Sequence, residues 1–287
     1  MVTGASGQVG SYVIRELQGL GLRYLALAQR SRGEAGILGV NLLDQGALDR
    51  FLRNHQVDAL INCAGMADPF QCFQDPHGSM LMNGHFPVRL FERLVAIHPK
   101  AYMLHLSTDM VFSGVNPPYA PEDACDSLSR YGVSKSFGEN AFLEAGGHGV
   151  ARLSNVYGTP PEGRSNFFVS QVERLERNEE LTLFTDEIRS FIDFRSAAKA
   201  IVEVTRQCAH GIFHIGSGEG VSRYAFGMAL ANKMGVDSQC IQGSRAQDLE
   251  WAEPRPLDLT LSLEGNPSFL SFLKDERVED RIGDYLF

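Results

Sequence analysis

The chain has 287 residues, of which 44% are hydrophobic and 21% are charged, which is enough apolar material for one large domain or two smaller ones. Its 26 Lys and Arg against 35 Asp and Glu give a net charge of -9, which argues against nucleic acid or an anionic membrane surface as the main partner. No apolar run approaches the roughly 18 residues of a membrane span, so we expect no membrane insertion and a cytoplasmic location. The five cysteines show no C-x-x-C spacing and the eight histidines no metal spacing, so we expect reduced thiols and no metal site.

Short apolar runs alternate with helix-period stretches through the first half of the chain, a pattern typical of βαβ units on a parallel sheet. The predicted strands are residues 1–3, 24–28, 59–62, 102–107 and 150–153, and the predicted helices are residues 9–18, 45–55, 87–98 and 130–144. We therefore predict an α/β fold with a doubly wound parallel sheet of the Rossmann type, whose first strand is short although it is central.

A glycine-rich loop follows the first predicted strand and opens the first helix. Gly4, Gly7 and Gly10 are spaced three apart, so the turn is tight and bare backbone N–H groups can approach a pyrophosphate at the helix N-terminus. This context predicts a dinucleotide cofactor, and a purely structural turn is the alternative. The predicted cofactor contacts in the loop are Gly4, Ser6, Gly7, Gln8, Val9 and Gly10.

The end of the second predicted strand predicts which dinucleotide binds. An NAD site usually carries an acid there, whereas this chain has Arg30 and Arg32 and no acid, which favours NADP(H) and leaves NAD(H) as the alternative. Both arginines are otherwise ordinary surface charges. Asn41 and Leu42 end a third predicted strand where an adenine edge would lie. The predicted cofactor contacts also include the three residues that directly follow the 59–62 strand, Cys63, Ala64 and Gly65.

Tyr131 and Lys135 are four residues apart on a predicted helix, so their side chains share one face. A nearby ammonium stabilises a phenolate and lowers the pKa of a tyrosine, which makes it a usable proton donor. The pair alone is equally typical of a helix surface. Hydroxyl groups at Ser107 and Thr108 strengthen the prediction, because ligands of open α/β sheets bind at the carboxyl ends of strands.

The regular alternation stops near Gly158, where residues 159–163 form a Pro-containing connector. We predict that a smaller C-terminal lobe begins there and that strands at 190–193 and 211–215 return to the first sheet. The predicted dinucleotide-binding domain is then residues 1–158 and 186–216, and the predicted substrate lobe is residues 159–185 and 217–287.

Four motifs in this order resemble the extended short-chain dehydrogenase/reductase family. They are Gly4-x-x-Gly7-x-x-Gly10, Asn62-Cys-Ala-Gly65, Ser107-Thr-Asp109 and Tyr131-x-x-x-Lys135. Longer stretches, such as residues 105–114, 118–123 and 131–139, are similar to its dTDP-4-dehydrorhamnose reductase branch. The resemblance implies that NADPH reduces the carbonyl of a nucleotide-linked 4-keto sugar. It implies three catalytic residues. Thr108 donates a hydrogen bond to the reacting oxygen, Tyr131 is the acid, and Lys135 lowers the pKa of Tyr131 and holds the hydroxyls of the nicotinamide ribose.

Other segments resemble the epimerase and dehydratase branches. Residues 186–193 and 152–158 differ from the reductase pattern, which leaves the substrate open. Arg189 and Arg255 are candidate diphosphate ligands, with a surface ion pair as the alternative for each. The remaining predicted substrate contacts are Thr108, Asp109, Asn155 and Trp251.

Two alternatives to a reductase stay open. One is an epimerase or dehydratase that keeps its cofactor bound. The other is a cofactor-binding regulatory subunit without turnover, because phrases such as residues 40–44 and 116–119 are also similar to the methionine adenosyltransferase regulatory beta subunit. A homodimer formed through the helices carrying residues 91–94 and 137–142 is a further hypothesis; the same apolar positions would otherwise face their own sheet.

Overall fold

The computed structural model describes residues 1–29, 36–161 and 164–286. Seven strands form one sheet in the order β3-β2-β1-β4-β5-β6-β11. Their bounds are β1 Val2–Thr3, β2 Ala26–Ala28, β3 Ile37–Gly39, β4 Ala59–Asn62, β5 Tyr102–Thr108, β6 Gly149–Leu153 and β11 Gly211–Ile215.

The strand order reverses between β1 and β4. These two strands pair with each other in parallel, and Thr3 lies opposite Asn62. The pairs β1–β2, β2–β3 and β4–β5 are parallel as well. A sheet of this order binds ligands where the order reverses, outside the carboxyl ends of the strands. The predicted Rossmann architecture is therefore confirmed, and the β1 and β4 ends lie at the expected position.

Helices connect and flank these strands. Their bounds are α1 Gln8–Gly19, α2 Gln45–Asn54, α3 Pro69–Gln74, α4 Pro76–Ser79, α5 Phe86–Ile97, α6 Arg130–Glu144, α7 Phe167–Glu176, α8 Phe194–Arg206, α9 Arg223–Met234 and α10 Val278–Arg281. A π-helix at Met80–His85 joins α4 to α5 without a break. Short 3₁₀ turns lie at Asp109–Val111, Ser238–Cys240, Ala246–Asp248, Ser268–Asp275 and Ile282–Tyr285.

The helix α6 spans the predicted residues, whereas other bounds differ from prediction. The strand β3 ends at Gly39, before the predicted end at Asn41 and Leu42, and β2 begins at Ala26 rather than at residue 24. The segment at 190–193 does not return to the main sheet, which corrects that prediction. Its strand β10, Ile192–Asp193, pairs instead with β7, Val156–Tyr157. Of the two predicted returning strands, the one at Gly211–Ile215 joins the main sheet.

The chain divides into two compact units. The first comprises Met1–Thr108, Arg130–Arg152 and Ala198–Phe213, and the second comprises Asp109–Ser129, Leu153–Ala197 and His214–Phe287. This division differs from the predicted boundaries chiefly because residues 109–129 group with the second unit. Tyr119 there pairs with Leu261, and Phe112 stacks on Tyr119 in a cluster with Leu259.

Each unit has its own apolar core. In the first unit α2, α5 and α6 cover the sheet with fully buried side chains such as Leu52, Leu90 and Phe142. In the described part of the second unit, the strands form small sheets, built from β7 and β10, from β8 (Leu181–Phe184) and β13 (Ile241–Ser244), and from β9 (Ile188–Arg189), β12 (Val221–Ser222) and β14 (Asp258–Leu259). In the described part of the chain, no helix combines the length and the hydropathy needed to cross a membrane.

Candidate active site

The glycine loop between β1 and α1 leaves no room for side chains. Gly4 has a φ of +63°, and a Cβ on it would lie 2.7 Å from the backbone of Cys63 and Ala64 after β4. A Cβ on Gly10 would lie 2.3 Å from the carbonyl oxygen of Gly4. The loops that follow β1 and β4 therefore touch through bare backbone, which is the cradle that a pyrophosphate needs.

The N-terminus of α1 opens from this loop. Its N-cap is Gly7, which provides no side-chain cap, and the Gly7 N–H donates to the Gly4 carbonyl at 2.8 Å. The first-turn N–H groups and the helix dipole make such a terminus attractive to a phosphate. Ser6, Gln8 and Val9 are half-buried at the same turn. The residues present therefore fit a dinucleotide.

A buried polar network ties the ends of β1, β4 and β5 together. The amide oxygen of Asn62 accepts hydrogen bonds from the Thr3 hydroxyl at 2.6 Å and from the Ala64 N–H at 3.3 Å. The Asn62 amide nitrogen donates to His105 Nδ1 at 3.1 Å. These bonds hold the Cys63–Ala64 backbone beside the glycine loop.

His105 is fully buried in β5 but only half satisfied. Burial lowers its pKa well below the usual value, with Lys135 acting in the same direction. Its Nε2 has no hydrogen-bond partner among the residues that the structure describes. Among the described residues, Nδ1 alone has a partner, the Asn62 amide. The imidazole is consequently neutral.

The residues predicted to contact the adenosine part have different outcomes. Arg30 and Arg32 lie outside the described residues. Asn41 is exposed, and its side-chain oxygen accepts from the Leu43 N–H at 3.2 Å. Leu42 is 8% exposed and packs in the core of the first unit, so its side chain supports the sheet.

Tyr131 and Lys135 lie one turn apart on the buried face of α6. They are 9% and 6% exposed, respectively. The Lys135 ammonium donates to the carbonyl oxygen of Leu106 in β5 at 2.6 Å and lies 4.0 Å from where a Cβ on Gly65 would be. Burial lowers the pKa of Lys135 to about 8, opposed by the Glu139 carboxylate and by the thiols of Cys63 and Cys72.

Thr108 ends β5 two residues after the carbonyl that Lys135 contacts, and it is 7% exposed. The structure thus brings Lys135 to the strand that carries the predicted catalytic hydroxyl, two residues before it. Ser107, which points to the other face of an extended strand, is 6% exposed, and its hydroxyl has no partner among the described residues. Burial raises the pKa of the neighbouring Cys63 thiol to about 12, so it stays protonated.

Asn83 in the π-helix fastens α6 to the loop after β4. It is 1% exposed. Its amide nitrogen donates to the Met66 carbonyl at 2.9 Å and to the Ser134 hydroxyl at 3.0 Å, and its oxygen accepts from the Met66 N–H at 2.8 Å. A Cβ on Gly138 would lie 1.9 Å from the Asn83 carbonyl oxygen, so the two helices touch through backbone.

The predicted substrate residues lie in the second unit, apart from Thr108. Asp109 is 2% exposed and accepts a hydrogen bond from the Ser154 hydroxyl at 2.8 Å. Asn155 is half-buried, and its carbonyl accepts from the Ile192 N–H at 3.1 Å. Both residues therefore make hydrogen bonds within their own unit.

The contacts of Arg189 differ from those expected of a diphosphate ligand. It is 3% exposed, and its guanidinium donates to the carbonyls of Ile188, Leu257 and Pro256 at 2.6 to 3.0 Å. An arginine whose donors are taken by backbone carbonyls joins strands, so the contacts give Arg189 a structural role.

Glu187 is an acidic residue that the sequence reasoning did not single out. It is fully buried and forms ion pairs with Arg189 at 3.4 Å, with Arg255 at 2.7 Å and with Arg223. Burial acts to raise its pKa, but the surrounding arginines hold the pKa below the usual value. The Arg255 guanidinium also lies 4.3 Å from the ring centre of Trp251, which is 40% exposed.

The helices proposed for a homodimer mostly face their own sheet. Phe91, Leu94 and Phe142 are at most 5% exposed and belong to the core of the first unit, whereas Phe137 is 44% exposed. Within the described ranges, no group of three or more His, Cys, Asp or Glu side chains is placed to hold a metal ion.

Comparisons with known proteins bear on the family and the fold of this chain. Residues 1–270 match the family model described as RmlD substrate binding domain. The spore coat polysaccharide biosynthesis protein SpsK of Bacillus subtilis (strain 168) is 28% identical over 264 residues, covering 91% of this chain and 88% of that protein. Methionine adenosyltransferase 2 subunit beta of Bos taurus is 28% identical over 258 residues, covering 83% and 72%. The crystal structure of dTDP-4-dehydrorhamnose reductase from Bacillus anthracis str. Ames in complex with NADP superposes with a TM-score of 0.83 at 18% identity, covering 99% and 97%. The predicted family resemblance is confirmed.

Proposed function

Since this chain belongs to the RmlD substrate binding domain family, we propose that it is an NADP(H)-dependent oxidoreductase that reduces a nucleotide-linked 4-keto-6-deoxy sugar. The observation that carries the proposal is the placement of Lys135. Its ammonium reaches the Leu106 carbonyl on β5 at 2.6 Å, two residues before Thr108, and Tyr131 lies one helical turn from Lys135 on the same helix.

The chain's own residues hold the cofactor. The backbone of the Gly4–Gly10 loop and the α1 N-terminus bind the pyrophosphate, and Lys135 binds the nicotinamide ribose hydroxyls. NADPH supplies the hydride when it is bound. The NADP complex of the Bacillus anthracis protein and the absence of an acid in the sequence 29–32 both favour NADP(H) over NAD(H).

Hydride addition to the carbonyl carbon of the sugar leaves negative charge on its oxygen, and Tyr131 donates the proton that completes the alcohol. The Lys135 ammonium lowers the cost of the phenolate that remains. The Thr108 hydroxyl donates a hydrogen bond to the same oxygen as it gains charge, and a donor so placed is commonly worth about 3 kcal/mol. The buried position of Tyr131 and Lys135 strengthens these electrostatic contributions, because water is excluded around them.

The experiment measures cofactor binding and turnover separately. NADPH and NADH binding to the full chain is followed by isothermal titration calorimetry, and cofactor oxidation is then measured with dTDP- and UDP-linked 4-keto-6-deoxy sugars. We expect tighter binding of NADPH and oxidation with at least one sugar. Tyr131→Phe should lower turnover by about 10² or more with NADPH affinity unchanged. The control is Tyr24→Phe, because the Tyr24 hydroxyl accepts a bond from Gln18 on the exposed end of α1. NADPH binding without oxidation of any sugar would reject the reductase.

A second candidate is a cofactor-binding regulatory subunit without turnover. Its specific support is the 28% identity to methionine adenosyltransferase 2 subunit beta over 83% of this chain. Co-purification with a methionine adenosyltransferase catalytic subunit, together with no NADPH oxidation, would favour this candidate. Turnover that depends on Tyr131 would exclude it.

A further inference from the structure

The catalytic face of α6 carries a third buried group, Glu139, to which the proposed mechanism gives no role. Tyr131, Lys135 and Glu139 follow one another at intervals of four residues, so their side chains lie along one face of the helix. Glu139 is completely buried, and Lys135 beside it is 6% exposed. Burying a carboxylate costs free energy unless an opposite charge or hydrogen-bond donors lie beside it.

Arg152 on β6 fixes the Glu139 carboxylate. The guanidinium Nε donates to Glu139 Oε1 at 2.9 Å, and a second N–H of Arg152 donates to the same oxygen. Arg152 is 2% exposed, so both members of this ion pair are inside the first unit. A pair so deeply buried has little freedom to rearrange, and the carboxylate is therefore held one helical turn from Lys135.

The groups that act on the Lys135 charge come from each element packed against it. Cys63 follows β4, Cys72 lies on α3 and His105 lies on β5. Burial raises the pKa of Cys63 to about 12 and lowers that of His105 well below its usual value, so neither carries charge near pH 7. The Cys72 thiol donates to the Met66 carbonyl at 3.5 Å. Within the part of the chain that the structure describes, Glu139 is the carboxylate that opposes the effect of burial on Lys135.

We propose that Glu139, fixed by Arg152, is a positioning residue that keeps Lys135 in the ammonium form beside Tyr131. This inference rests on the proposed function, because only there does the charge of Lys135 have a task. A neutral amine would neither stabilise a phenolate at Tyr131 nor donate as strongly to ribose hydroxyls. Removing the carboxylate takes away the largest of the effects that oppose burial, so Lys135 should lose its proton at a pH at least one unit lower, a tenfold change in its dissociation constant.

The test is a direct titration of Lys135 in the full chain without cofactor. The sequence has five lysines, Lys100, Lys135, Lys199, Lys233 and Lys274, so ¹³Cε-lysine labelling gives few signals. The loss of one signal in Lys135→Arg assigns it. We expect a wild-type midpoint of about 8 and a midpoint at least one unit lower in Glu139→Gln. The matched control is Glu144→Gln, an exposed glutamate on the same helix, which should leave the midpoint unchanged.

Glu139→Gln leaves Arg152 buried without its carboxylate, which is a threat to folding. The double variant Glu139→Gln/Arg152→Met removes both charges and should lower the midpoint as well. A midpoint within about 0.3 units of wild type in either folded variant overturns the proposal. If neither variant folds, a wild-type midpoint below 7 overturns it, and one at or above 7 supports it. The titration uses neither NADPH nor sugar, so its result does not depend on the turnover assay. Failure of this proposal and failure of the proposed function can therefore be distinguished.

Discussion

Replacing Gly10 by alanine tests whether the glycine loop is closed by backbone contacts. The new Cβ would lie 2.3 Å from the Gly4 carbonyl oxygen and 3.0 Å from the Ala5 Cα, both of them backbone atoms that cannot rotate away. Overpacking of this kind typically costs about 1–3 kcal/mol. Alanine is a better helix former than glycine by about 1 kcal/mol, which offsets part of the cost. We expect a net loss of up to about 2 kcal/mol in the free energy of unfolding.

The same helix provides the control. A Cβ on Gly19, the last residue of α1, would meet nothing within 4 Å, so Gly19→Ala should leave stability unchanged or raise it by up to about 1 kcal/mol. Urea unfolding followed by circular dichroism measures both variants. Calorimetry should show NADPH affinity at least tenfold weaker for Gly10→Ala and unchanged for Gly19→Ala. Equal stability and equal NADPH affinity of the two variants would refute the closed-loop argument.

Three further predictions concern buried charge and the acid. Tyr131→Phe should unfold at the wild-type urea concentration while losing about 10² or more in NADPH oxidation; an active variant would remove the acid role. Burial lowers the pKa of Lys135 from 10.5 to about 8 in the folded chain. Between these two pH values the unfolded chain binds the Lys135 proton more tightly than the folded chain does, so the contribution of Lys135 to stability rises with pH from about 8 to 10.5. Between about pH 7 and 9.5 the wild type should therefore gain about 2 kcal/mol in urea unfolding relative to Lys135→Met, and a constant difference would contradict the shift. Glu187→Gln should cost about 3–5 kcal/mol because Arg189 stays buried without its counter-charge. The control Glu203→Gln weakens a partly exposed ion pair with Arg206 and a hydrogen bond from Gln207, and it should cost less than about 1 kcal/mol.

The sequence alone predicted the parts of the site that depend on neighbouring residues. Glycine spacing after an apolar run predicted the β1–α1 loop, and the four-residue interval between Tyr131 and Lys135 predicted that they share a helix face. The bounds of α6 were predicted to the residue. Such features follow from backbone geometry and helical period, which nearest neighbours along the chain fix.

Only the tertiary structure decided which partners these side chains have. The Leu106 carbonyl that binds Lys135 is 29 residues away, the Met66 backbone that Asn83 holds is 17 residues away, and the Arg152 that fixes Glu139 is on another strand. Arg189 has the sequence pattern of a phosphate ligand but lies buried against backbone carbonyls 67 and 68 residues further on. Whether a charged side chain is buried and paired depends on elements brought together from distant parts of the chain. The local sequence around that side chain does not determine which elements these are.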